Sequence, residues 1–301
     1  MKNFDELLKK KDIAATKKTV AVVWPNEPVI LQAACDAQKQ HGVAPLLVGD
    51  ADAIRRLLNE MGIGENVEII HAESPEQAIQ KSIALVREGK ADILQKGLVQ
   101  TADLMRAILH KENGICSSGV LAHVSLLEIP GHHKLVALTD SALLTYPTIE
   151  QKVEMIRHAV ALMQAIGTEV PKVAILAAVE TVNPKMPETV EAAELKKMWE
   201  RKEITGCIVE GPISYDLAMD PSSSRIKNYQ SPVGGDADIL IVPDIQAGNI
   251  LIKALLYSAK AISSGMIMGA SVPVLVSSRS ASIEVRSNAV AVAAALGRLQ
   301  P

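Results

Sequence analysis

Residues 231 to 257 read SPVGGDADILIVPDIQAGNILIKALLY. The stretch opens polar and glycine-rich. It becomes a short apolar run, Ile239 to Val242, and stops at Pro243, which has no N–H to give to a sheet. A polar elbow follows, Asp244 to Asn249, and then the helical pattern ILIKALLYSAK. A short apolar run closed by turn residues and followed by a helix reads as a strand buried on both faces, the unit of a parallel sheet covered by helices. In such sheets ligands collect beyond the carboxyl ends of the strands. The elbow therefore stands where a site is expected. Asn249 reads as the N-cap of the helix, with Gly248 giving a tight turn. Free N–H groups at such a helix start can hold an anion. Asp244 does not suit an anion cradle and is expected to orient an arginine or a ligand hydroxyl. The Gly234-Gly235 turn would let the chain come close to that site.

The same alternation runs outward in both directions. Strands are expected at 18–24, 44–49, 67–72, 92–97, 172–178, 207–212, 238–243 and 272–278, with two more, 120–129 and 135–140, joined through PGHH. Helices are expected between most of them. Pro28 and Gly42 bracket one, Asp50, Ser74 and Thr101 each open one, another runs from Thr148 to about Ile166, and a last helix covers roughly 280–298. Strand-helix alternation at this scale predicts an α/β fold with a mainly parallel sheet and helices on both faces. The least regular stretch, 211–237, reads as a surface loop or a lid.

A length of 301 residues is consistent with two domains. Apolar residues are 48% and aromatic residues only 2%, so the core is built from aliphatic side chains. The net charge of −3 argues against a general binder of nucleic acid or membrane surface. Three scattered cysteines, Cys35, Cys116 and Cys207, form no CxxC pair, which disfavours a structural zinc site and fits a reducing compartment. The amino-terminal stretch has no apolar signal core, and no apolar run is long enough to span a bilayer. The expectation is a soluble, cytoplasmic protein.

Two further stretches carry candidate chemistry. In KGLVQTADLMRAIL, 96–109, Lys96 and Gly97 end a strand and Thr101 caps a helix. Arg106 reads either as a solvated helix charge or as the bidentate part of an anion clamp with Lys96 and Thr101. In LVSSRSASIEVRS, 275–287, Ser280 or Ser282 caps the last helix. Ser278 and Arg279 add a hydroxyl donor and a fixed cation at a strand end, and Glu284 adds a candidate base. There is no Walker loop, GxSxG elbow or HExxH. GIGENV at 62–67 lacks the last glycine of a dinucleotide fingerprint. His132 and His133 are adjacent and cannot both face one ligand from an extended strand.

Together, GDADILIVPDIQAGN, KGLVQTADLMRAIL and PVLVSSRSAS resemble the phosphate acetyltransferase and phosphate butyryltransferase family, in the family's order and across nearly the whole chain. IPGHHKLVALTD, VNPKMPETVEA and VEGPISYDLA are closer to the butyryl branch. The resemblance implies a two-domain isocitrate/isopropylmalate dehydrogenase-like fold with an interdomain cleft. It implies a first domain of 1–120 plus 271–301, holding both termini, and a second of 121–270. It also implies acyl transfer between coenzyme A and phosphate, both as substrates, with no further cofactor and no metal. Ser278 and Arg279 match the family's Ser-Arg pair, and Arg106 matches the arginine of its Thr-Ala-x-x-x-Arg segment. The acetyl enzymes carry an aspartate pair soon after Ser-Arg; here that place reads Glu284-Val285, a departure that makes Glu284 the candidate base. Asp244 is then expected in the cleft opposite Ser278-Arg279, where a carboxylate beside two arginines is a poor base. Lys96, Gly97, Thr101, Asp244 and Asn249 complete the expected substrate site. An apolar, aromatic-poor second domain makes a homodimer the expectation.

Two other readings stay open from the residues. A metal- and NAD-dependent dehydrogenase of the same fold would gather Asp140, Asp236, Asp238 and Asp244 around a metal. A catalytically silent acyl-CoA-binding protein would bind without turnover.

Overall fold

The computed structural model describes residues 1–10, 17–63, 67–116, 119–276 and 283–296. The chain divides into two compact units: Met1–Phe4 with Ala122–Ser263, and Asp5–Leu121 with the chain from Ser264 onward.

The second of these begins with helix α1, Phe4–Lys10, and continues β1 (Thr19–Val23), α2 (Pro28–His41), β2 (Ala44–Gly49), α3 (Ala51–Glu60), β3 (Glu68–His71), α4 (Pro75–Arg87), β4 (Ile93–Lys96) and α5 (Thr101–Ile108). β1 is parallel to β2 and β4, and β2 is parallel to β3. Val20 to Val23 are fully buried, as a strand covered on both faces requires. Local signals set the helix ends. Pro28 opens α2, and Gly42 ends it at φ 70°. The Asp50 side chain accepts from the N–H groups of Asp52 and Ala53, and Ser74 accepts from Gln77.

The unit containing the opening stretch runs β5 (Ala122–Glu128), β6 (Val136–Thr139), α6 (Ile149–Ala165), β7 (Lys172–Leu176), α7 (Pro187–Glu200), β8 (Ile208–Ile213), α8 (Tyr215–Met219), α9 (Pro221–Ile226), β9 (Ile239–Ile241) and α10 (Ile245–Lys253), which continues as a π-helical turn, Ala254–Ser258. β5 and β6 are antiparallel, whereas β6, β9, β7 and β8 follow one another in parallel. β9 thus lies between β6 and β7, and Ile239, Leu240 and Ile241 have no exposed surface. Because the four strands are parallel, their carboxyl ends open on one edge.

The chain then returns through β10 (Ile262–Met268), β11 (Val274–Leu275) and α11 (Ile283–Leu296). β11 is parallel to β4 and antiparallel to β10. The sheets are therefore mainly, not wholly, parallel. β10 was not expected: Ile262-Ser-Ser-Gly-Met-Ile-Met268 lacks a clean period of two, and its pairing with β11 makes it a strand.

The stretch 211–237 is not an open surface loop. α8 and α9 fill it, Leu217, Ala218 and Val233 are buried, and Gly235 and Ala237 donate their N–H groups back to Leu217 and Ala218 carbonyls. Gly235 serves this packing: at φ +73° a Cβ there would stand 2.5 Å from Pro221 Cα. The close approach is to the start of α9.

Candidate functional site at the strand ends

The elbow after β9 is a fastening. Asp244 caps α10, accepting from the Ala247 N–H at 2.9 Å. The helix therefore starts five residues before Ile250, and Asn249 is inside it. This corrects the expectation that Asn249 is the cap; aspartate at an extended position followed by free N–H groups fills that role equally well. The Asn249 amide instead donates to the Ser141 carbonyl at 3.0 Å. Gly248 is needed because a Cβ there would lie 2.3 Å from the Asp140 carbonyl oxygen. Val242 donates to the Thr139 carbonyl and Ile245 to that of Thr145. The amide and glycine of the elbow, with the Ile245 N–H, lace α10 to the 139–145 turn, while the acid caps the helix itself.

That turn is organised by Asp140, whose exposure is 1%. One carboxylate oxygen accepts from the Ala142 and Leu143 N–H groups at 2.7 and 2.8 Å. The other accepts from His123 and Leu144 at 2.8 and 3.3 Å. Every partner is backbone, so this aspartate serves as the hub of a turn. The His123 ring lies 3.2 Å from the Ser141 hydroxyl. Burial holds its pKa below the ordinary histidine value, against the pull of Asp140.

Beyond the carboxyl ends of β7 and β9 lies a cavity of about 450 Å³ whose walls include Leu176, Ala178, Tyr215, Val242, Ala247 and Leu251. The sequence reading missed it, because its walls are ordinary apolar residues drawn from four separated segments. After β8, the Ser214 hydroxyl sits 2.5 Å from Glu180 and 2.6 Å from Asp216. It has one proton and serves one carboxylate at a time. Lys227 faces both, at 3.5 and 3.0 Å. The hydrogen bond from Ser214, with Lys227 adding to it, holds both carboxyl groups below their ordinary range.

In the other unit, Lys96 ends β4 and its ammonium donates to the Gly97 carbonyl at 3.2 Å. Gly97 is demanded by the backbone: a Cβ would stand 2.2 Å from the Val23 carbonyl oxygen. Thr101 is the first residue of α5, whose cap position is Gln100 with no side-chain cap bond. The expectation that Thr101 caps the helix is thereby corrected by one residue. Arg106 pairs with Asp103 one turn back at 2.8 Å and is 76% exposed. Ser278 and Arg279 lie outside the described residues, as does the side chain of Glu284. Arg286, on α11, is buried, and burial lowers its pKa while Glu27 opposes that.

The four aspartates of the dehydrogenase reading do not converge. Asp236 and Asp238 precede β9, at the amino ends of the strands, where they bind Lys134 and Lys172. Asp140 and Asp244 stand at the carboxyl ends, each engaged with backbone N–H groups. No cluster of three or more histidines, cysteines or carboxylates placed to hold a metal occurs among the described residues. Among them, too, no helix is long and apolar enough to cross a membrane.

Comparison with known proteins agrees with the sequence motifs. Residues 64–294 match the family described as "Phosphate acetyl/butaryl transferase". The chain is 39% identical to the phosphate butyryltransferase of Clostridium acetobutylicum over 295 residues, 98% of each chain. It is 41% identical to the phosphate acetyltransferase of Thermotoga maritima over 278 residues, 92% of this chain and 94% of that one. Among solved structures, the branched-chain phosphotransacylase of Enterococcus faecalis V583 is similar at a TM-score of 0.83 and 33% identity, covering 93% of this chain and 98% of that one. A putative 4-hydroxythreonine-4-phosphate dehydrogenase from Salmonella typhimurium shares the fold at a TM-score of 0.59 and 15% identity. On a family match across most of its length and on relatives of about 40% identity end to end, the chain belongs to the phosphate acetyltransferase and butyryltransferase family.

Proposed function

We propose that the chain is a phosphate acyltransferase that prefers a four-carbon or branched acyl group: acyl-CoA plus phosphate gives acyl phosphate plus CoA. Near-full-length identity of 39% to a phosphate butyryltransferase carries this reading. In the reaction a phosphate oxygen attacks the thioester carbonyl, a C–O bond forms, the C–S bond breaks and the thiolate leaves with the electron pair. No acyl-enzyme is needed when both substrates are held together. Following the resemblance, Arg279 and Arg106 hold phosphate with Lys96 and Thr101 beside them, and Ser278 donates to the developing oxyanion. Glu284 takes up or returns a proton. Asp244 and Asn249 act through the turns that they fasten. The finer arrangement belongs to the same proposal: an isocitrate/isopropylmalate dehydrogenase-like pair of domains around a cleft, a homodimer, a cytoplasmic setting, and no cofactor beyond the two substrates.

A second reading, phosphate acetyltransferase, is favoured by the 41% identity to the Thermotoga enzyme. CoA release from acetyl-, propionyl-, butyryl- and isobutyryl-CoA, with and without phosphate, separates the two. Preference for butyryl- or isobutyryl-CoA is expected; preference for acetyl-CoA selects the second reading, and no release from any of them overturns both. Arg106→Ala should weaken phosphate use by on the order of 10²-fold, the worth of a charge-assisted clamp. Wild-type kinetics would leave Arg106 as a solvated helix charge paired to Asp103.

A further inference from the structure

The cavity beyond β7 and β9 has a chemistry of its own. Its floor comes from strand ends, Leu176 and Val242, both nearly fully buried. Its sides come from Ala247 and Leu251 of α10 and from Tyr215, the first residue of α8. Ala178 sits where β7 gives way to the loop toward α7. Parallel strand ends are where α/β sheets take their ligands. The volume, about 450 Å³, lies in the range of small-ligand sites.

Charge narrows the occupant. Among the described residues, no lysine or arginine lines the cavity, and the one carboxylate in its wall is Glu188. The nucleotide end of coenzyme A carries several phosphate charges and would be repelled there. The pantetheine arm carries two amides, which would lose hydrogen bonds to water against walls that are mainly aliphatic. A neutral alkyl chain fits all of these conditions. We infer that this cavity receives the acyl chain of the acyl-CoA substrate, and that Ala178, Ala247 and Tyr215 set the chain length accepted. The inference rests on the phosphate acyltransferase reading.

Two small residues in the wall make the inference testable by filling. Ala247 is half-buried and Ala178 is exposed at the mouth, so Ala247→Leu adds carbons within the cavity and Ala178→Leu narrows its entrance, each competing with the distal carbons of the substrate. The test compares kcat/KM for butyryl-CoA with that for acetyl-CoA, at saturating phosphate, in wild type and both variants, with thermal unfolding recorded for each. The butyryl-to-acetyl ratio should fall at least about tenfold in either filled variant, since one methylene in a fitted pocket is worth roughly 10- to 200-fold in discrimination. Tyr215→Ala, at a partly exposed position, opens the rim and should raise the hexanoyl-to-butyryl ratio. A wild-type enzyme that turns over the panel while the folded variants keep its ratios overturns the cavity assignment. A wild-type protein that releases CoA from none of the panel overturns the acyltransferase reading instead.

Discussion

Two pairs of aspartates, one at each edge of the β6-β9-β7-β8 sheet, are satisfied in different ways. At the amino edge, Asp236 and Asp238 meet Lys134 and Lys172, with His133 alongside at 3.0 Å from Asp236. Lysines answer most of the charge there, and Asp238 also accepts the Lys172 N–H. At the carboxyl edge, Asp140 and Asp244 spend their oxygens on backbone N–H groups, and Asn249 spends its amide on a backbone carbonyl. These carboxylates hold turns in shape, and an apolar cavity opens on the same edge. An ion pair open to solvent, as at Asp236, is easily replaced by water. A buried carboxylate that satisfies several N–H groups is not, because the donors left behind have no other partner. The Asp140 turn is therefore the less replaceable of the two arrangements, and the Asp236 pair is the more tolerant.

The largest effect should follow Asp140→Ala. Four N–H groups lose their acceptor, and the loss should be about 3–5 kcal/mol in urea unfolding. Asp140→Asn keeps one carbonyl oxygen and should lose less. A cost under about 1 kcal/mol for the alanine variant would remove the hub from the account.

Gly248→Ala comes next. The new methyl must displace the Asp140 carbonyl or tilt α10, at about 1–3 kcal/mol. Because α10 carries Ala247 and Leu251, the same shift should raise KM for the longer acyl-CoA substrates. Unchanged unfolding and KM together would show that the helix and turn are not held in contact as described.

A smaller effect should appear as pH falls through the histidine range. His123 has a lowered pKa in the folded state, so the unfolded chain binds more protons there. Its contribution to stability is complete above the ordinary histidine value and is lost as pH falls below it toward the folded value. Tm measured between pH 8 and 5 should fall more steeply for wild type than for His123→Asn. Parallel curves would mean that the ring is not buried next to Ser141.

The smallest effect is expected at the other edge. Asp236→Asn should cost about 1 kcal/mol or less at pH 7, since Asp236 is 39% exposed on its side chain. Burial pushes its carboxyl pKa up, but the hydrogen bonds and charges of Lys134 and Lys172 outweigh that and hold it well below the usual range. Its contribution is present above the ordinary aspartate value and lost as pH falls through the lowered one. Acid titration of Tm should flatten in the variant. A larger cost here than at Asp140 would invert the comparison.

Much of the frame was legible because its causes are local. Pro28 and Gly42, Asp50, Ser74 and Thr148 each act on the N–H or carbonyl groups next to them, and each sits at the helix end expected. The errors came where a local cause had two outlets. Asp244 and Asn249 can each cap a helix, and only the position of the Ser141 carbonyl decided that the asparagine was needed elsewhere. Ile262–Met268 has too little pattern to declare a strand without the partner that pairs with it.

The sequence alone determined the buried strands, most helix ends and, through three separated motifs, the family. These depend on residues near one another in the chain or on patterns that survive as text. Only the tertiary structure decided that Gly248 and Asp140 touch, that Asp236 and Asp238 face lysines rather than a metal, and that mainly apolar residues from separated segments line one cavity. Those outcomes turn on distances between segments tens of residues apart, set by sheet order, and an alanine or leucine carries no mark in the sequence of which side of a wall it will line.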